Sequence, residues 1–162
     1  MNHAELVNRF KQARVMMVGD IYLDENVYGS VTRVSLEAPI PVYEVREKRH
    51  NPGAAGNAAC NVASLGATTY MVGYVGDDVN AGIVRHEFAV RNVNTDYVVT
   101  DPVRPTNTYG KLRAGGFNIP SQEILRTDTP SPTFSSGAVE DQSVANIEKL
   151  APEVEAIVVV DQ

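Results

Sequence analysis

Apolar positions in this chain switch between a helical and a strand period, and the switch points divide it into elements. Ala4 to Arg14 sets Leu6, Val7 and Phe10 among charges, as in an amphipathic helix. Val15 to Val18 is a short apolar run closed by Gly19-Asp20, the form of a buried parallel strand. Residues 25–47 differ. Val27, Tyr28, Val31, Val34, Ile40, Val42, Tyr43 and Val45 are broken by Gly29, Pro39 and Pro41, with near alternation at Val42 to Arg46, which predicts antiparallel strands with one wet face.

Asn51-Pro52-Gly53-Ala54-Ala55-Gly56-Asn57 then opens a helix predicted to run to about Leu65 and stop at Gly66. Thr68 to Gly76 reads as a second buried strand. Asp77 and Asp78 are placed to cap a helix over about Val79 to Arg91. A short strand at Val98-Val99 follows. Thr106 to Ala114 and Gln122 to Arg126 read as two strands joined by a turn at Gly115-Gly116-Phe117-Asn118. A Pro/Ser-rich connector at 129–137, a helix from about Val139 to Leu150 and a further buried strand at Ala156 to Val160, ending in Asp161, complete the order. The pattern is βαβαβ with antiparallel inserts and no internal repeat. A buried parallel strand needs covering helices, and none follows the last strand, so the sheet reads as part of a larger fold.

Composition narrows the function classes. The 162 residues suffice for one domain, and a net charge of -6 with scattered basic residues argues against a nucleic-acid surface. The densest basic group, Arg46, Lys48 and Arg49, reads as a solvated strand end. No apolar run is long enough to cross a membrane and no signal peptide is apparent. The single cysteine, Cys60, cannot form an internal disulfide and sits in an apolar helical stretch, so a cytoplasmic location is expected. His3, His50 and His86 lack metal-ligand spacing and read as surface residues. No serine nucleophile elbow and no Cys/His pairing is present.

Three stretches carry candidate chemistry, each with a plain structural alternative. Asp20 and Asp24 follow the first strand, where open parallel sheets bind ligands, and a carboxylate there can accept from two sugar hydroxyls. Otherwise Asp20 satisfies turn amides and Asp24 is a surface charge. Gly53 to Asn57 lets a ligand approach the backbone beside a helix start, or lets that helix pack tightly on a sheet. Neither a Walker loop nor a dinucleotide fingerprint is present there. Lys111 and Arg113 alternate with apolar neighbours and are predicted to share a strand face, turned to a cleft or to solvent.

Taken together, these motifs resemble the ribokinase-type (PfkB) carbohydrate kinase family, with heptose-phosphate kinases the nearest branch. Residues 15–128 follow the pattern almost continuously: Val18-Gly19-Asp20 with Leu23-Asp24, Tyr28-Gly29, Arg33-Val34-Ser35, Glu37-Ala38-Pro39-Ile40-Pro41-Val42, Pro52-Gly53 with Asn57, Asn61-Val62-Ala63, Leu65-Gly66-Ala67, Val72-Gly73, Val75-Gly76-Asp77-Asp78, Arg104-Pro105-Thr106 and Leu125-Arg126-Thr127-Asp128.

The resemblance implies a ribokinase-like α/β fold: a mostly parallel sheet flanked by helices, with a small antiparallel β lid from about 25–49 and 106–126. It implies that Asp24, Gly53, Ala54 and Asn57 contact sugar, that Asp161 lies at the edge of the same cleft, and that Lys111 takes a phosphate. It also implies a homodimer built through the lid. Where the family has two adjacent glycines, this chain has Gly53-Ala54. The family's second signature, a Gly-Ala-Gly-Asp-like turn supplying the base and anion hole, is absent, together with the nucleotide pocket. Residues 1–162 are therefore expected to be the N-terminal half of one domain, inactive alone and without a catalytic residue, a metal ligand or a tightly held cofactor. ATP and Mg2+ would belong to the intact enzyme. A non-catalytic sugar-binding or dimerisation module derived from such a kinase is the competing reading.

Overall fold

The computed structural model describes residues 2–115, 120–130 and 135–161. In chain order the elements are α1 (His3–Phe10), β1 (Arg14–Gly19), β2 (Ile21–Val34), β3 (Pro41–Ala54), α2 (Ala55–Ser64), β4 (Thr68–Gly76), α3 (Val79–Ala89), β5 (Val93–Asn94), β6 (Val98–Asp101), β7 (Thr108–Ala114), β8 (Gln122–Thr129), α4 (Gly137–Leu150), a 3-10 turn (Ala151–Glu153) and β9 (Ala156–Val160).

The described residues form two sheets. The first has the order β5-β4-β1-β9, entirely parallel, with β6 joining β4 beyond β5. Side chains alternate along β1 and β4, so each strand feeds two cores. Val15, Met17 and Met71 pack with Ala55 and Ala59 of α2 and Val84 and Phe88 of α3. Met16 and Val72 point the other way, onto Leu150 and Ile147 of α4. Met16, Met17, Met71 and Val72 are fully buried, as strands covered by helices on both faces should be.

The second sheet, β3-β2-β7-β8, is the lid. Its outer pairings are antiparallel, but β2 and β7 at its centre run parallel, from Leu23 opposite Thr108 to Gly29 opposite Ala114. The hairpin of β2 and β3 is longer than the sequence pattern predicts. It absorbs Ile21 to Asp24 at one end and Asn51 to Ala54 at the other, because the backbone pairs continuously from Ile21–Ala54 to Val34–Pro41 apart from two bulges.

Two other expectations change. The strand at 156–160 is exposed rather than buried: among the described residues it pairs with β1 on one edge only, and Val159 keeps 71% of its surface. His50, expected at the surface, is half-buried, with Nε2 3.1 Å from Glu25 Oε2. The two-residue β5 has no counterpart in the sequence reading. Most of the turn at 115–118 and the middle of the 129–137 connector lie outside the described residues.

Candidate functional site

Asp24 is reached by following β1 out of the sheet. Gly19 ends that strand at φ 153, and a side chain there would collide with the carbonyl of Val160. The chain then turns through Asp20, whose carbonyl accepts from the Ala55 N–H at 3.1 Å, and enters the lid as β2.

Strand alternation and pairing put one set of side chains on a single lid face. Tyr22 and Asp24 stand there from β2, Gly53 and Asn51 from β3, Tyr109 and Lys111 from β7, and Arg126 and Asp128 from β8. Lys111 Nζ donates to Asp24 Oδ1 at 2.9 Å, both side chains about a quarter exposed. The other carboxylate oxygen faces Gly53: a Cβ on that glycine would sit 3.4 Å from Asp24 Oδ2 and 3.2 Å from Tyr22 Cβ.

Aromatic rings and a second cation border this pair. Tyr22 and Tyr109 meet edge to face at 5.1 Å, and the Arg126 guanidinium lies 4.2 Å over the Tyr109 ring while donating to Asp128 at 2.7 Å. Burial, followed by the nearby Asp20 and Tyr109, pushes the Tyr22 phenol up to about 12, so it is a neutral donor at physiological pH. Two carboxylates, two cations and two phenols thus line one face.

The remaining expected residues are placed differently. Ala54 follows Gly53 at φ 51 and ψ -127, a positive-φ conformation where glycine is usual. Gly56 serves packing: a Cβ there would sit 2.8 Å from Pro52 Cβ and 2.9 Å from Phe88 Cζ. Asn57 is exposed on the first turn of α2 and borders a separate polar hollow of about 480 Å³ with Cys60, Asn61, Ser64, Arg91 and Asn92; Asp24 is not part of that lining. Asp161 follows the Val160–Gly19 pair, exposed and at the same strand end as Asp20. Arg113 does not share Lys111's surroundings: a bulge falls between Leu112 and Arg113, and its guanidinium meets Glu123 at 3.7 Å. A second hollow, about 400 Å³, lies over Val18, Asp20, Gly73 and Tyr74 against Glu140, Val144 and Ile147 of α4.

Tyr22, Tyr109 and Arg126 were not assigned from the sequence. For Tyr22 and Tyr109 the signal was there as a period of two, each standing two residues before an expected ligand, whereas Arg126 emerges only from the pairing that sets it across from Lys111.

The profile described as "pfkB family carbohydrate kinase" matches residues 12–125, most of the chain and the whole of this lid face except Asp128 and Arg126. The chain belongs to the pfkB family. This confirms the resemblance read from the motifs. Among curated relatives of this pfkB-family chain, the "Bifunctional protein HldE" of Nitrobacter hamburgensis is 35% identical over 156 residues, covering 96% of this chain and 31% of the relative. That of Klebsiella pneumoniae is 43% identical over 119 residues, covering 74% and 24%. The chain therefore spans less than a third of these relatives. Solved structures similar to it include a putative ribokinase from Agrobacterium tumefaciens (TM-score 0.58, 16% identity, 91% of this chain and 44% of that one). Another is the Arabidopsis thaliana ribokinase complexed with ribose and ATP (TM-score 0.52, 19% identity, 83% and 43%). These establish the ribokinase-like fold of the pfkB-family chain.

Proposed function

We propose that this chain is the acceptor-binding part of an ATP-dependent carbohydrate kinase, which transfers a phosphoryl group to a hydroxyl of a sugar or heptose phosphate. The observation carrying this reading is the meeting of Asp24, Gly53 and Lys111 on one lid face. A carboxylate with one oxygen against a glycine has room to accept from vicinal hydroxyls, because no Cβ intrudes. The Lys111 ammonium offers an anionic group of the acceptor a charge-assisted partner. The Tyr22 and Tyr109 phenols supply hydroxyls and flat apolar surface beside it. The relatives named HldE favour a heptose phosphate among the possible acceptors.

Ala54, Asn57 and Asp161 belong to the proposal with narrower roles. Ala54 shapes the floor next to Gly53, while Asn57 and Asp161 reach an acceptor only from the α2 and β9 sides of the cleft. Phosphoryl transfer depends on positioning and on stabilising developing charge. In this account the chain's residues orient the acceptor hydroxyl and exclude water. ATP and Mg2+ supply the phosphoryl group in the intact enzyme. Among the described residues no three His, Cys, Asp or Glu side chains converge as a metal site, so no step is assigned to Mg2+ here. We also infer a cytoplasmic protein that dimerises through the lid, whose tip exposes Val31, Val34, Leu36 and Ile40.

The test is a pair of measurements: calorimetric titration of the chain with D-glycero-D-manno-heptose 7-phosphate, and an ATP-dependent turnover assay with the same sugar. Binding without turnover is expected. Turnover by the pure 162-residue chain would overturn the division of labour, and absence of binding would overturn the acceptor site.

A further inference from the structure

Two motifs that have no part in the lid face, Gly76-Asp77-Asp78 and Arg104-Pro105-Thr106, meet at the root of β7. Asp78 caps α3, its Oδ1 accepting from the Ala81 N–H at 2.8 Å. The same oxygen accepts from the Thr106 hydroxyl at 2.8 Å, and Oδ2 accepts from the Thr106 N–H at 2.7 Å. Thr106 is 1% exposed, and its hydroxyl accepts from the buried Gly76 N–H at 3.0 Å. One hydroxyl thus joins the end of β4 to the cap of α3.

The surrounding chain leaves this junction little slack. A Cβ on Gly76 would lie 2.7 Å from the Thr106 nitrogen and 2.9 Å from the Pro105 carbonyl carbon, so the 104–106 backbone lies directly on that glycine. Asp101 is fully buried, and its Oδ1 takes the Val103 and Arg104 N–H groups, fixing the turn that delivers Pro105. One residue beyond Thr106, the Asn107 carbonyl accepts from the Leu23 N–H at 2.8 Å. Asn80 of α3 then donates to the Thr108 hydroxyl at 2.9 Å. Every tie therefore falls just before Tyr109 and Lys111.

We propose that Asp78 and Thr106 are positioning residues: together they buckle the root of β7 to the helical body and thereby hold Tyr109 and Lys111 against Asp24. The buckle acts through β7 and touches no substrate. It rests on the acceptor-site reading only for its effect on binding; its effect on the lid is independent of that reading. A lid strand anchored at its root moves as one body with the sheet, whereas an unanchored one opens locally at low cost.

Hydrogen exchange by mass spectrometry on the chain tests this, with Thr106→Val as the first variant because it keeps the shape and removes the hydroxyl. Exchange over β7 and β8 should rise roughly tenfold, the scale of one to two lost buried hydrogen bonds. The interiors of β1 and β4 should stay within about twofold of wild type. Thr106→Ser, which restores the hydroxyl, should return lid exchange to the wild-type level. Asn80→Ala, which cuts only the outer tie, should give a smaller rise confined to β7, and it decides the question if Thr106→Val does not fold. Affinity for heptose 7-phosphate should fall roughly tenfold in Thr106→Val.

A rise spread equally over β1, β4 and the lid would reduce the junction to ordinary stability and overturn the buckle, as would unchanged lid exchange. Faster lid exchange with unaltered sugar affinity would overturn the positioning role and leave the acceptor site standing. A wild-type chain that binds no sugar phosphate would overturn the acceptor site, while lid exchange still decides the buckle.

Discussion

Lys111 and Asp24, 87 residues apart in sequence, close an ion pair of 2.9 Å across the middle of the lid. If Asp24 is the carboxylate that accepts from sugar hydroxyls, as proposed, it is already half engaged in the free site. On that proposal an acceptor carrying a phosphate would draw the ammonium toward itself and leave both carboxylate oxygens to the hydroxyls. An acceptor without phosphate would compete with the lysine.

Lys111→Met should separate these two cases. Affinity for heptose 7-phosphate is expected to fall by roughly tenfold or more, the loss of one charge-assisted bond. Affinity for the unphosphorylated heptose should change little or improve. Calorimetry on both sugars gives the ratio, and an equal loss for both would remove the phosphate role. Thermal stability should move by at most about 1 kcal/mol, since the pair is partly exposed.

Ala54 holds a backbone conformation, φ 51 and ψ -127, that a side chain disfavours by roughly 1–2 kcal/mol. Ala54→Gly should therefore stabilise the chain by about 0.5–1 kcal/mol, after the entropy glycine loses on folding. Urea denaturation measures this. Destabilisation would mean that the Ala54 methyl group makes a contact worth more than the strain.

Much of the sheet was legible because its signals are local. β4 spans Thr68–Gly76 as the apolar run predicts, and α2 stops at the expected place. The lid was legible as strands but not as a sheet. Nothing near residue 24 or residue 109 states that β2 and β7 pair side by side, in parallel, across α2, β4 and α3. The same long-range pairing brings Arg126 over Tyr109, which no local period encodes. Asn57 shows the converse limit. The family resemblance implies a sugar contact for it, while its place on the first turn of α2 sets it in the lining of the hollow shared with Asn61 and Arg91, which no local signal states.

Stability toward acid should report on Asp78. Burial acts to raise its pKa, but hydrogen bonds from the Thr106 and Ala81 N–H groups and the Thr106 hydroxyl outweigh it, leaving the carboxyl below the usual 3.8. Glu25 is likewise held below 4.5: burial again opposes, and hydrogen bonds from His50 and Lys48 prevail. A depressed carboxylate pKa contributes stability that is full above the unfolded value and is lost as pH falls through the folded value. Melting temperature should therefore drop between about pH 5 and pH 3. In Asp78→Asn that drop should be shallower, and an unchanged profile would contradict the assignment.

The lid tip supplies the test of assembly. Leu36 is 100% exposed and Ile40 56%, with Val34 beside them, an apolar set that a solitary domain leaves to water. Sedimentation velocity should show a concentration-dependent dimer, and Leu36→Glu should shift it to monomer by placing a charge in the apolar contact. A wild-type monomer at all concentrations would end the dimer proposal.

The acceptor site stands or falls on Asp24. Replacing it with Asn keeps the shape but removes one of the two acceptor oxygens and the charge that holds Lys111. The direct measurement is the dissociation constant for heptose 7-phosphate in wild type and Asp24→Asn. The account predicts saturable binding by the wild-type chain and a loss of at least roughly tenfold in the variant. Equal affinity in the two proteins would contradict it.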